Sequence, residues 1–356
     1  MKKVKKKQKS ALISNIIFSI ITIISLTLAI AFLLINYSLK DRLDYANEEN
    51  EKLNQYAKTH PFTEEDLVNI KEQAKLENEE AEKQKLLEDI KDIMDNGYSA
   101  YYLMRYLFPE DVVILADGGF NFYPISESMK KNDYVIDNFI QDENSKEIDY
   151  RDENGQVISL KGIDVSSHNG KINWDKVKKS GVDFVYVRVG YRGSTEGGIK
   201  EDTTFADNIK GATKAGLDVG VYFYTQAVDE NEAREEAQFV LDSIEPYNVT
   251  YPIAYDLEVT DGRTNDVSVE QFTKNSKAFM DLVEKAGYKS MLYGNLYTQI
   301  TMVNPEELEG YEKWFAYYAY PVYNPYDYAI WQYTSDGKVD GINGNVDLNI
   351  CLKNLK

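Results

Sequence analysis

The chain has 356 residues, 43% of them apolar, with 28 tyrosines, one cysteine and a formal charge of −19. That length allows one large domain with accessory parts, and the acidic balance argues against nucleic acid as a partner. With Cys351 the only cysteine, an intrachain disulfide and a multi-cysteine zinc site are excluded, and Cys351 reads as a small buried apolar residue.

Residues 1–9 form a basic tip built from Lys2, Lys3, Lys5, Lys6, Lys7 and Lys9. Residues 10–38 carry no charge, and their centre, Ile16 to Ile35, is long enough to span a hydrocarbon core as a helix. The lysines ahead of it predict a cytoplasmic N-terminus, a single-pass membrane anchor and an outward-facing remainder. Ala29-Ile30-Ala31 resembles a signal-peptide cleavage site, but the apolar run continues through Phe32, Leu33, Leu34 and Ile35, which favours an uncleaved anchor.

Residues 39–97 read as a helical stalk. Leu39, Leu43, Ala46, Asn50, Leu53 and Ala57 follow heptad spacing, with Asn50 placed to set register. A parallel homodimer through this seam and a single solvated stalk are both open. Thr59-His60-Pro61 breaks the helix, and a second one is expected from Thr63 to about Asp95. Residues 98–160 read as a small β-rich module with two hairpins, one turning at Asp117-Gly118-Gly119 and one about Asn154-Gly155.

From residue 161 to 356 strands alternate with helices. GIDVS, FVYVRVGY, DVGVYFYTQ, YPIAYDLEV, KSMLYGN, KWFAYYA, AIWQYT and NVDLNI are the strand candidates. Helices are expected over 174–180, 202–215, 230–244 and 267–286, with stops at Ser180-Gly181, Ala215-Gly216 and Ala286-Gly287. About eight strands with intervening helices predict an α/β fold, a TIM-like (β/α) barrel that is irregular in its last third.

The chemistry centres on YPIAYDLEVT, residues 251–260. On a strand, Asp256 and Glu258 would leave one face about 6.6 Å apart, and paired acids at a buried strand end are costly unless used. Other polar residues fall at strand ends, where such barrels hold their sites. Asp164 lies on the first strand, Arg188 and Tyr191 on the second, and Tyr222 and Tyr224 on the third. Tyr293 and Asn295 end the fifth, Tyr317 and Tyr318 the sixth, Trp331 and Gln332 lie on the seventh, and Asp347 begins the eighth. Acids among aromatic platforms fit a carbohydrate. Only His60 and His168 exist, so a metal site or Ser-His-Asp triad would need His168, which reads better as a loop residue. No P-loop or GxGxxG fingerprint appears.

The ordered stretches GIDVSSHNGKINWDKVKKSGVDFVYVRVGYRG, ATKAGLDVGVYFYTQAVDENEAREEA, YDLE, MLYGN, WFAYYA and WQYTSDGKVDGINGNVDLN resemble the glycoside hydrolase family 25 lysozymes. The resemblance covers residues 161–356. It implies a barrel that cuts the β-1,4 bond between N-acetylmuramic acid and N-acetylglucosamine, with peptidoglycan glycan strands as partner and no metal or organic cofactor. Its acids map to Asp164, Asp256, Glu258 and Asp347. The chain departs from it at Tyr222-Phe223-Tyr224, where many members have a histidine, and at Trp314-Phe315-Ala316, where Leu-Trp-Ile-Ala is commoner. Glu258 is then the expected general acid. Asp256 is its charged neighbour, orienting the substrate's 2-acetamido group as internal nucleophile or activating a water. Tyr224, Tyr293 and Tyr317 would hold the reacting sugar and Trp331 would be a stacking platform. The β-rich module would be a packing collar or a weak wall-binding surface. A non-catalytic, membrane-tethered peptidoglycan-binding module is the alternative reading, and a stalk that recruits a partner is a third.

Overall fold

The structure, a computed structural model, describes residues 22, 26, 38–57, 64–96, 99–116, 118–142 and 145–356. Two units are distinguished, Met1–Pro109 and Glu110–Lys356. The basic tip and nearly all of the apolar run expected to be an anchor lie outside the described residues, as does the expected cap Thr63. Among the described residues, no helix is long and apolar enough to cross a membrane.

The first unit holds α1 (Ser38–Ala57), α2 (Glu64–Asp95) and α3 (Ala100–Leu107). Ala46, Asn50 and Leu53 of α1 share a groove with Lys71, Ala74 and Asn78 of α2. These three seam positions therefore face the chain's own second helix. A segment on the same chain competes at a higher effective concentration than a free partner. Residues 100–107, expected in the β-rich module, are helical. Ser99 caps α3 by accepting from the Tyr102 N–H, and Leu103 and Leu107 bury one face against Ile93 of α2.

In the second unit β1 (Asp111–Ala116) and β2 (Gly119–Pro124) form the first expected hairpin, and β3 (Phe139–Gln141) pairs with β4 (Ile148–Tyr150). The second hairpin was expected within residues 147–160. Its turn forms, with the Asp152 carboxylate accepting from the N–H groups of Asn154 and Gln156, and the returning arm bridges Val157 to Arg151 and donates the Ile158 N–H to the Tyr150 carbonyl at 2.9 Å, without continuing as a strand. β4 pairs instead with β3, whose Phe139 is buried.

The remaining strands are β5 (Leu160–Val165), β6 (Phe184–Arg192), β7 (Ile199–Glu201), β8 (Asp218–Tyr224), β9 (Ile253–Asp256), β10 (Ser290–Asn295), β11 (Glu312–Ala316), β12 (Ile330–Gly337) and β13 (Val346–Cys351). They run in the order β5-β13-β12-β11-β10-β9-β8-β6, and β5–β6 pairing closes the ring; β7 is appended to β6. All barrel neighbours are parallel except at β13, which runs antiparallel to both β12 and β5. Helices α4 (Trp174–Lys179), α5 (Phe205–Lys214), α6 (Glu230–Ile244) and α7 (Val269–Lys285) follow the first four parallel crossings. After β10 only short helical turns remain, which is the irregularity expected of the last third. Asp202, expected to open a helix, lies instead just before α5 and is buried.

Two-residue alternation sorts the barrel. Val185, Val187 and Val189 of β6 pack outward under the helices. Phe184, Tyr186, Tyr222, Met291, Tyr293 and Trp314 form a separate interior cluster. The Glu110–Leu160 segment is tied to the barrel wall. Tyr134 Oη donates to the Tyr328 carbonyl (2.7 Å), Tyr320 Oη to the Phe139 carbonyl (2.7 Å), and the Phe139 ring stands edge-on to Trp331 at 5.3 Å.

Candidate active site

A cleft of about 760 Å³ opens at the carboxyl ends of the parallel strands. Asp164, Arg188, Tyr191, Tyr222, Tyr224, Asp256, Glu258, Tyr293, Gln332 and Asp347 all line it. β13 runs the other way, so its first residues reach the same mouth; Asp347 lies directly opposite Asp164 in the ladder. β9 ends at Asp256, so Glu258 stands on the loop beyond it, at the open rim. The two acids expected on one strand are thus one strand residue and one loop residue.

Three expected contacts are not in the cleft. Trp331 is fully buried on the outer side of β12, its Nε1 donating to the Tyr317 carbonyl at 2.7 Å, so it is not a stacking platform. The Tyr317 ring stacks on Phe315 in the outer core. Asn295 turns away to accept from the Thr298 N–H (2.9 Å) and opens a short helical turn. Alternation is the cause for the two aromatics; Asn295 has the parity of Tyr293 but is taken up by the turn that follows β10. Residues 315, 317 and 331 face outward, while Trp314, Tyr318 and Gln332 face the barrel axis. Strand parity, rather than residue type, was the signal available for preferring Tyr318 to Tyr317 and for adding Trp314.

Asp164 anchors the floor. Its Oδ2 accepts from Gln332 Nε2 and Asn349 Nδ2, each at 2.8 Å. Gln332 Oε1 in turn accepts from Tyr293 Oη (2.8 Å) and Tyr318 Oη (2.7 Å), and Asn349 Oδ1 from Trp314 Nε1 (2.8 Å). Burial pushes Asp164 up to about 6 against these hydrogen bonds. Burial, then the charge of Asp164, pushes Asp347 up to about 8. Asp256 is buried and raised well above the carboxylate range, first by burial and then by the charges of Glu258 and Asp164. Glu258 is also raised, by burial and by Asp164, while its hydrogen bond from Asp256 works the other way. Both shifts run in one direction, against ionising the two carboxyls together. Asp256 Oδ1 is buried without a hydrogen-bond partner.

The cation of the cleft is Arg188. Its Nε donates to Asp202 Oδ2 (2.8 Å), its Nη2 to Ser167 Oγ (3.1 Å), and its guanidinium lies over the Tyr191 ring at 5.4 Å. Burial raises Asp202, but hydrogen bonds from the Ser167 N–H and Thr204, with the Arg188 charge, outweigh it and hold the carboxyl below its ordinary range. Asp202 and Asn349 were absent from the sequence-derived site. Nothing local marks them, because their partners lie on other strands.

A closed β/α barrel whose mouth gathers four carboxylates, one arginine and several tyrosines defines a barrel protein of the glycosidase kind. Residues 163–342, just over half of the chain, match the glycosyl hydrolases family 25, and the chain belongs to that family. It is 32% identical over 192 residues to an autolytic lysozyme of Clostridium acetobutylicum, covering 53% of this chain and 55% of that protein. It is 26% identical over 213 residues to lysozyme M1 of Streptomyces globisporus, covering 53% and 67%. The modular autolysin LytC from Streptococcus pneumoniae is a structural neighbour at 29% identity and a TM-score of 0.49, covering 68% of this chain and 56% of that one. The chain thus spans little more than half the length of the first of these relatives.

Proposed function

We propose that this chain is a membrane-anchored peptidoglycan hydrolase that cuts the β-1,4 bond between N-acetylmuramic acid and N-acetylglucosamine. The observation that carries the reading is the convergence of Asp164, Asp256, Glu258 and Asp347 on one cleft, with one unpartnered buried oxygen, Asp256 Oδ1, among them. Glycoside cleavage needs a proton at the leaving oxygen and stabilisation of an oxocarbenium-like state. A 2-acetamido N–H donated to Asp256 Oδ1 would favour ionised Asp256. In this reading Asp256 starts protonated, and its proton passes to Glu258, the acid at the rim, as the acetamide oxygen is aimed at the anomeric carbon. Asp164 and Asp347 supply the negative field that keeps the pair from ionising twice. Tyr222, Tyr224, Tyr293 and Tyr318 bound the sugar, and residues 10–38 hold the enzyme at the membrane with the barrel facing the wall.

The test is cleavage of defined peptidoglycan by the full chain, with the new reducing ends identified by mass spectrometry. Ends at N-acetylmuramic acid are expected; N-acetylglucosamine ends, or none, would sink the proposal. Glu258→Gln should lower turnover by roughly 10²–10⁴-fold, the range of a lost general acid. Wall clearance at the wild-type rate would remove Glu258 from that role.

A further inference from the structure

The acid assigned to proton transfer stands beyond the end of β9, on a loop, although a catalytic group must be held within a fraction of an ångström. What fixes that loop is a chain of bonds outside the cleft. The Leu257 N–H donates to the Tyr293 carbonyl at 3.2 Å. On the far side of Glu258, the Thr260 hydroxyl accepts from Gln226 Nε2 at 2.8 Å. Three residues further on, Arg263 makes a two-pronged bond to Glu232 of α6. Its Nη1 donates to Oε2 and its Nη2 to Oε1, each at 2.7 Å. The same Nη1 reaches the Gln226 carbonyl at 3.0 Å, and the Arg263 N–H donates to the Ser194 carbonyl at 3.0 Å.

The other half of the joint is equally constrained. Glu232 Oε2 also accepts from the Val228 N–H at 3.0 Å, tying α6 to the end of β8. Gly197 has a φ of +70°, and a Cβ there would stand 2.6 Å from the Arg263 guanidinium carbon. Glycine thus serves twice at this position, for its left-handed backbone and for letting the guanidinium lie flat on the turn. Beneath it, Arg192 donates to the Gly197 carbonyl at 2.6 Å and to Glu236 Oε1 at 2.7 Å. Neither Arg263 nor Glu232 lines the cleft.

We infer that Arg263 and Glu232 are positioning residues for Glu258: a bidentate clasp on α6 that sets where the loop-borne acid stands relative to Asp256. The inference rests on the reading of Glu258 as the acid. A planar fork against a carboxylate fixes direction as well as distance, which a lysine cannot reproduce.

The test compares wild type, Arg263→Met, Arg263→Lys and Glu232→Gln as full chains, with kcat, KM and pH profile measured on soluble peptidoglycan fragments. Carboxyl ¹³C titration of Glu258 accompanies each. Arg263→Met and Glu232→Gln should each lower kcat by roughly 10–100-fold, the scale of an ångström's misplacement, with KM within about twofold. The Arg263→Met/Glu232→Gln pair should be no worse than either single change. The limb of the pH profile that reports the Asp256–Glu258 proton should move, and Arg263→Lys should fall between. Unchanged kcat per folded molecule with an unmoved pH limb overturns the inference. If Arg263→Met does not fold, Arg263→Lys and Glu232→Gln decide by the same criteria. A wild type without turnover would sink the hydrolase reading instead. The Glu258 titration then decides the clasp alone, supporting it if the variants shift the midpoint and refuting it if they do not.

Discussion

At the scale of single residues, the cleft places four acids where their charges oppose one another. Carboxylates with raised values make the native chain bind more protons than the unfolded one between about pH 4 and the folded midpoints. Those midpoints are about 6 for Asp164 and about 8 for Asp347. By linkage, the stability that these groups affect falls as pH rises through that window. Asp347→Asn should therefore be near neutral at pH 4 and increasingly stabilising toward pH 8. Allowing for solvent screening at its half-open position, the gain should reach at least about 1 kcal/mol, or roughly 2–4 °C in Tm. Melting curves of wild type and variant across pH 4–9 check the sign. A gain that is largest at acid pH would refute the assignment. Activity should drop at the same time, so that stability and function part company at one carboxylate.

At the scale of elements, the barrel works by alternating which residues it sends to its axis. Where β8 passes Tyr186, only glycine fits: a Cβ on Gly220 would stand 2.5 Å from that ring, which is itself packed at 4.4 Å against Trp314. Gly220→Ala should cost about 1–3 kcal/mol through overpacking, seen as a lower urea midpoint at unchanged slope. The cleft lies directly above this layer through Tyr222 and Trp314, so substrate affinity should weaken as well. The same alternation explains the misreading of Tyr317 and Trp331. Both are aromatic and near the mouth in sequence, yet each is one residue out of phase with the cleft.

At the scale of the whole molecule, Glu110–Lys356 is a unit in itself, and residues 110–160 are part of its wall. A fragment beginning at residue 110 should fold and unfold in one transition. A fragment beginning at residue 161 would uncover Trp331 and Tyr328, which Phe139 and Tyr134 now cover. It should melt several degrees lower and bind a hydrophobic dye. Equal melting of the two fragments would return residues 110–160 to the wall-binding reading weighed from the sequence. The membrane anchor, by contrast, is a proposal drawn from residues 10–38 alone, and protease protection of the basic tip in intact cells is its direct check.

The order of the barrel strands, the helix stops at glycine and the identity of the four acids were legible in the sequence. Each is written in local periodicity or in motifs a few residues long, and such patterns survive without knowing what lies across the sheet. The clasp between Arg263 and Glu232, the pairing of Asp202 with Arg188, and the bonds from Gln332 and Asn349 to Asp164 were not. Their members are separated by 14 to 185 residues, and only tertiary packing, for Gln332 and Asn349 the closing of the ring, brings them together. The seam on α1 had a definite pattern that left a parallel homodimer and a solvated stalk open; that Ala46, Asn50 and Leu53 would share a groove with the chain's own second helix was not written in it. Sequence thus named the carboxylates, while tertiary structure decided which of them stand free and which are held, because burial and hydrogen bonding across strands set those energies.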